Sequence, residues 1–169
     1  MTIAKQKIDE MLKVRPFEFP MLRAVIRKIP EPRQKEIMGM LVKMLKRSTK
    51  DRFDLLFVLL GFGSRALPSL KALLAFKNHE IDFTLFLLAF GPMSERNSTF
   101  RRDFAKITVD YILKRKGHPR DLADLEAAYL LQRFSHHPEV CNEIRRLKRK
   151  AVGVHASRAA RSIRGCSPR

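Results

Sequence analysis

Leu59-Leu60-Gly61-Phe62, Leu73-Leu74-Ala75-Phe76 and Leu87-Leu88-Ala89-Phe90 state one short phrase three times at a spacing of 14 residues. Fourteen residues is close to four helical turns, or to one short helix plus its connector. The breakers between the copies (Gly61 and Gly63, Pro68, Asn78, Gly91-Pro92) favour the second alternative. Residues 53–92 therefore read as three short, strongly apolar helices of about three turns each. Packed on one another, they form the centre of an all-α protein.

Outward from this stretch, proline divides the chain into short elements, and strand signals are weak: alternation is not sustained, and there are two Tyr and no Trp. Helices are predicted over 2–14, 21–29 and 32–48, with Thr2 as the first cap and Pro32 opening the third. They continue over 94–117, where Asn97 or Ser98 caps a stripe of Phe100, Phe104, Ile107 and Tyr111. The next covers 120–134, with Leu122, Leu125 and Tyr129 together, after a stop at Gly117 and Pro119. The last covers 138–151, with an apolar seam of Val140, Ile144, Leu147 and Ala151. From Gly153 the periodicity stops, and Arg158, Arg161, Arg164 and Arg169 are scattered among Ser, Gly and Pro. The expected architecture is a compact bundle or array of about eight or nine short helices over 1–151, with a disordered basic arm over 152–169.

The charge balance is the unusual quantity. The 169 residues hold 35 Lys and Arg against 17 Asp and Glu, a formal net charge of +18. A field of one sign over so small a chain favours polyanions: nucleic acid, an acidic protein tract or an anionic membrane. Three cationic groups stand out. Lys43, Lys46, Arg47 and Lys50 recur at i, i+3, i+4, i+7, opposite Ile37, Leu41, Met44 and Leu45, and such like-charge spacing costs helix stability. Arg101, Arg102 and Lys106 lie off the apolar stripe of their helix, partly offset by Asp103 and Asp110. Arg145, Arg146, Lys148, Arg149 and Lys150 cover most of the last helix, a run that reads equally as a nucleic-acid patch or a nuclear-import signal. Aromatic residues are not interleaved with these cations, so base stacking is not indicated and contacts to the phosphate backbone are.

Catalytic signatures are missing from the sequence. There is no GxxxxGK[ST] loop and no nucleophile elbow, and Gly61-Phe62-Gly63 is a lone glycine pair at a helix end. The acidic cluster Asp121, Asp124 and Glu126 sits at a helix start, where the dipole accounts for it. His137 and Cys141 are four apart, a spacing that metal ligands use, but no second close pair completes a zinc site. Cys141 and Cys166 are too few for a disulfide framework, and a reducing compartment is the default. No secretory signal opens the chain, and the apolar segments fall well short of the roughly 18 residues of a membrane span.

The sequence thus predicts a non-enzymatic, intracellular and soluble basic protein without cofactor or metal. It binds RNA or DNA through phosphate contacts, in the nucleus or nucleolus if the cell has one. The alternatives are a protein-interaction module whose C-terminal run is an import signal, and a peripheral matrix-type protein on anionic membranes. In type only, the chain is similar to small viral matrix or accessory proteins, and no motif carries a site over from them.

Overall fold

The computed structural model describes residues 3–14, 18–47, 51–76, 78–95, 97–114 and 122–166. All regular structure among them is helical. The chain divides into two compact units, residues 1–92 and 93–169. The first holds α1 (Ile3–Met11), α2 (Phe19–Arg27), α3 (Glu31–Arg47), α4 (Arg52–Gly61), a 3-10 turn at Gly63–Ala66, α5 (Leu67–Leu74) and α6 (His79–Leu88). A five-residue segment, α7 (Phe90–Ser94), spans the division. The second unit holds α8 (Ser98–Lys114), α9 (Leu122–Arg133), α10 (Pro138–Lys150) and α11 (Val154–Ser162).

The first unit is built around α4. Seven consecutive residues, Leu55 to Gly61, are buried, so this helix is apolar on every side and is surrounded by α2, α3 and α6. Each copy of the repeated phrase closes a helix: α4 ends at Gly61, α5 at Leu74 and α6 at Leu88. The copies are not equivalent in depth. Leu59 and Leu60 are fully enclosed, whereas Phe76 and Leu87 are exposed. Glycine at 61 is a matter of space, since a Cβ there would stand 2.4 Å from Leu22 Cδ2. The close approach of α2 to α4 that this permits also brings the Phe19 and Phe57 rings to 4.7 Å between centroids. Asn78 caps α6 by accepting from the Ile81 N–H at 3.1 Å.

In the second unit α8 and α10 form the most extensive helix pair. The predicted seam of α10 is buried at Val140, Ile144 and Leu147, and α8 turns Phe100, Phe104 and Tyr111 inward, as its spacing requires. Asn97 rather than Ser98 caps α8, accepting from the Phe100 N–H at 2.9 Å. Thr2, Gly117, Pro119 and Asp121, which the sequence assigns to caps, stops and an acidic helix start, lie outside the described residues.

Three expectations are corrected. On α9 the predicted face of Leu122, Leu125 and Tyr129 is exposed, and the buried face is Ala123, Ala127, Leu130 and Leu131 on the opposite side. Small residues allow closer backbone approach, and the core takes that side. Residues 154–162 of the expected disordered arm form α11, with Ala156, Ala160 and Ile163 buried at i, i+4 and i+7. Cys141 and Cys166, which the sequence reads as too few for a disulfide framework, are joined as a disulfide with their Cα atoms 5.4 Å apart.

Candidate nucleic-acid interface

The described cations among the twelve singled out in the sequence differ in how far the fold engages them. In the first unit, α3 separates its faces as projected: Ile37, Leu41 and Leu45 are buried, while Lys43, Lys46 and Arg47 are exposed. Lys46 holds its ammonium 5.2 Å from the centroid of the Phe76 ring, a cation–π contact that steers the side chain without neutralising it. Lys50 lies outside the described residues.

In the second unit two of the arginines are structural. The Arg101 side chain is only 10% exposed; its Nε donates to Glu139 Oε1 at 2.7 Å, and its Nη1 donates to the Glu95 carbonyl. This ties the start of α8 to the first turn of α10. Burial alone would raise the Glu139 carboxyl, but its own backbone N–H at the helix start and the Arg101 guanidinium outweigh that and hold it below its usual range. Burial, with Arg101 and His136 close by, lowers the neighbouring His137.

Arg146 performs the same task at the other end of the α8–α10 pair. Its Nη1 donates to Asp110 Oδ1 at 2.7 Å, its Nε to Glu143 Oε2 at 2.6 Å and its Nη2 to the Lys106 carbonyl at 3.1 Å. Arg101 and Arg146 thus commit part of their guanidinium donors to the fold, and their side chains are only 10% and 21% exposed, which leaves them less open to a phosphate than the exposed cations. Glu139 and Asp110 lie 38 and 36 residues from these arginines in sequence, beyond what helical spacing shows, whereas Glu143 is three residues from Arg146.

Of the remaining cations predicted in this unit, Arg145 is half-buried and the others are exposed. Arg102 is exposed and shared with its neighbour Asp103 at 2.9 Å, which raises its pKa. Arg145 donates to Asn142 Oδ1 at 3.3 Å. Lys106, Lys148, Arg149 and Lys150 are exposed, and Lys148 donates to the Gly165 carbonyl at 3.2 Å. The last-turn position of Lys148, Arg149 and Lys150 is favoured by the helix dipole. Arg161 and Arg164, which the sequence placed in the arm, are exposed beyond α10. The signal that could have found them is the Ala156, Ala160, Ile163 spacing. No acidic residue follows Glu143.

Among the described residues no group of three His, Cys, Asp or Glu side chains is arranged to hold a metal, and Cys141 is engaged by Cys166 rather than paired with His137. A cleft of about 400 Å³ between α3 and α5 is lined by Glu31, Gln34, Lys35, Met38, Arg65 and Ser69. Gln34 there is satisfied: it donates to the Ile29 carbonyl at 2.8 Å and accepts from Arg65 at 2.6 Å. No helix of the described residues is long and apolar enough to cross a membrane. Comparison with protein-family models, curated proteins and solved structures finds no match to the chain.

Proposed function

We propose that this chain is a non-enzymatic basic protein that binds RNA or DNA through the phosphate backbone, largely independently of base sequence. The observation that carries the proposal is the end of α10. Lys148, Arg149 and Lys150 are exposed there, and the sequence after Glu143 adds further arginines but no Asp or Glu. Holding like charges together opposes folding, and a polyanion relieves that cost by accepting the cations and releasing its own counterions. Lys43, Lys46 and Arg47 form a second contact group in the other unit.

The test is a salt-titrated binding assay on duplex DNA, duplex RNA and single strands. Affinity falls with rising salt on every substrate it binds. Replacing Lys148, Arg149 and Lys150 by Ala flattens the logarithmic salt dependence by about 3 × 0.9 on a duplex. An affinity indifferent to salt, or no binding at low ionic strength, overturns the proposal. The same run as an import signal is less favoured, because Arg146 and Leu147 are locked against the rest of the unit and a receptor reading an extended peptide would have to unwind α10. A membrane reading draws on one observation: Val152 and Val154, 87% and 69% exposed, adjoin Lys148–Lys150 as an apolar tip beside cations. Flotation with anionic but not neutral vesicles, undiminished by Val152→Ser with Val154→Ser, would remove that support.

A further inference from the structure

The C-terminal segment is fastened at several points that do not resemble ordinary helix packing. α11 is nine residues long and buries only Ala156 and Ala160, with Ile163 just beyond it. An isolated helix of that length is marginal, and two alanines and one isoleucine bury little apolar surface. Past Ile163, the Arg164 N–H donates to Gln132, the Gly165 carbonyl accepts from Lys148, and Cys166 is bonded to Cys141 in the first turn of α10. Gly165 and Cys166 both have left-handed backbones, φ 88 and φ 57. For glycine that conformation is comfortable; for a residue with a Cβ it is held only against a preference to relax. Both cysteine residues are half-buried rather than enclosed in the core.

We infer that the Cys141–Cys166 bond is a redox strap whose opening releases the basic segment 154–166. The inference rests on the nucleic-acid reading for its consequence but not for the release itself. In the closed state the segment is a docked helix, and its arginines are held in one arrangement by the buried Ala156, Ala160 and Ile163. Opened, the segment becomes a flexible arm whose Arg158, Arg161 and Arg164 follow the phosphate chain and order on binding. The chemistry balances with glutathione as the couple. A glutathione thiolate attacks one sulfur of the bond, giving a mixed disulfide and a cysteine thiolate that takes up a proton. A second glutathione then attacks the mixed disulfide, leaving two protein thiols and one molecule of glutathione disulfide. The reverse sequence closes the strap.

The experiment uses the full chain equilibrated with excess reduced or excess oxidised glutathione, and reads two quantities. The first is the rate of trypsin cleavage after Arg158, Arg161 and Arg164, followed by mass spectrometry after quenching and full reduction. Cleavage requires local opening, so it rises at least tenfold in the reduced protein. The second is the salt dependence of binding to a duplex DNA, which steepens on reduction by up to about 2.7 for three additional phosphate contacts. Cys141→Ser with Cys166→Ser behaves as the reduced form in either buffer. Cleavage rates within twofold of each other, or two titratable thiols persisting in excess glutathione disulfide, overturn the strap. Cleavage that rises while the salt dependence stays fixed refutes the flexible-arm consequence. A protein that binds no duplex in either state refutes the nucleic-acid reading instead, and the cleavage rates alone then decide the strap.

Discussion

Arg146→Ala is the substitution that best separates a cation used by the fold from one left for a ligand. The side chain is 21% exposed and makes three hydrogen bonds, two of them to carboxylates whose own side chains are 31% and 17% exposed. Hydrogen bonds to charged groups contribute about 1.5–3 kcal/mol each when buried, and less where water shares the pair. Removing the guanidinium also leaves Asp110 and Glu143 without their common partner. A net loss of about 2 kcal/mol follows, discounted for partial exposure, and for a unit of this size that lowers Tm by about 10 °C. Arg146→Lys keeps the charge but cannot reach both carboxylates and the Lys106 carbonyl together, so it recovers less than half. Arg149→Ala, three residues on and exposed, changes stability by less than about 0.5 kcal/mol. Urea or thermal unfolding of the three variants against the parent measures the difference. Equal losses for Arg146→Ala and Arg149→Ala would refute the division of the C-terminal run into structural and free cations.

Three further outcomes follow from the packing and the pKa shifts. Glu139 is depressed in the folded state, so its contribution is complete above its unfolded value near 4.5 and is lost as pH falls through the lower folded value; Glu139→Gln should therefore flatten the fall of unfolding free energy between about pH 6 and about pH 3. Gly61→Ala gains a few tenths of a kcal/mol in helix propensity but drives its Cβ into Leu22, which is fully buried; the expected result is a net destabilisation of about 1–2 kcal/mol, read from the denaturant midpoint. On α9, Leu125→Ser should leave stability within about 0.5 kcal/mol, whereas Leu131→Ala should cost about 2–5 kcal/mol; the reverse order would restore the face that the sequence pattern suggested.

The elements that could be read from sequence are those in which one physical demand dominates. α4 is apolar all round, and only a buried helix tolerates that; Val140, Ile144 and Leu147 on α10 stand alone among cations, so the seam had no rival. α9 was ambiguous because it carries apolar residues on two opposite sides. Bulk pointed to Leu122, Leu125 and Tyr129, while close packing selected the alanine side. α11 was hidden for the same reason, since Ala156 and Ala160 barely register as a stripe beside the arginines around them. At the candidate interface, the exposed positions of α3 followed from helical projection. The loss of Arg101 and Arg146 to the fold did not, because it depends on Glu139 and Asp110 arriving from distant turns of chain.

What remains after that sorting bears on the energetics of the whole chain. With +18 of formal charge and its best-placed arginines already engaged, the protein folds against the repulsion of cations that have no carboxylate to meet. Added salt shortens the range of that repulsion, with a Debye length of about 10 Å at 0.1 M falling to about 3 Å at 1 M. The unfolding temperature of the protein alone should therefore rise with sodium chloride, while the added stabilisation given by a duplex DNA falls over the same range, because binding a polyanion is weakened by the salt that relieves the free protein. The two trends have opposite signs and share one cause. A free protein whose stability drops as salt is added would mean that its ion pairs, and not its unpaired cations, govern its electrostatics, and the surplus would then need no acidic polymer to explain it.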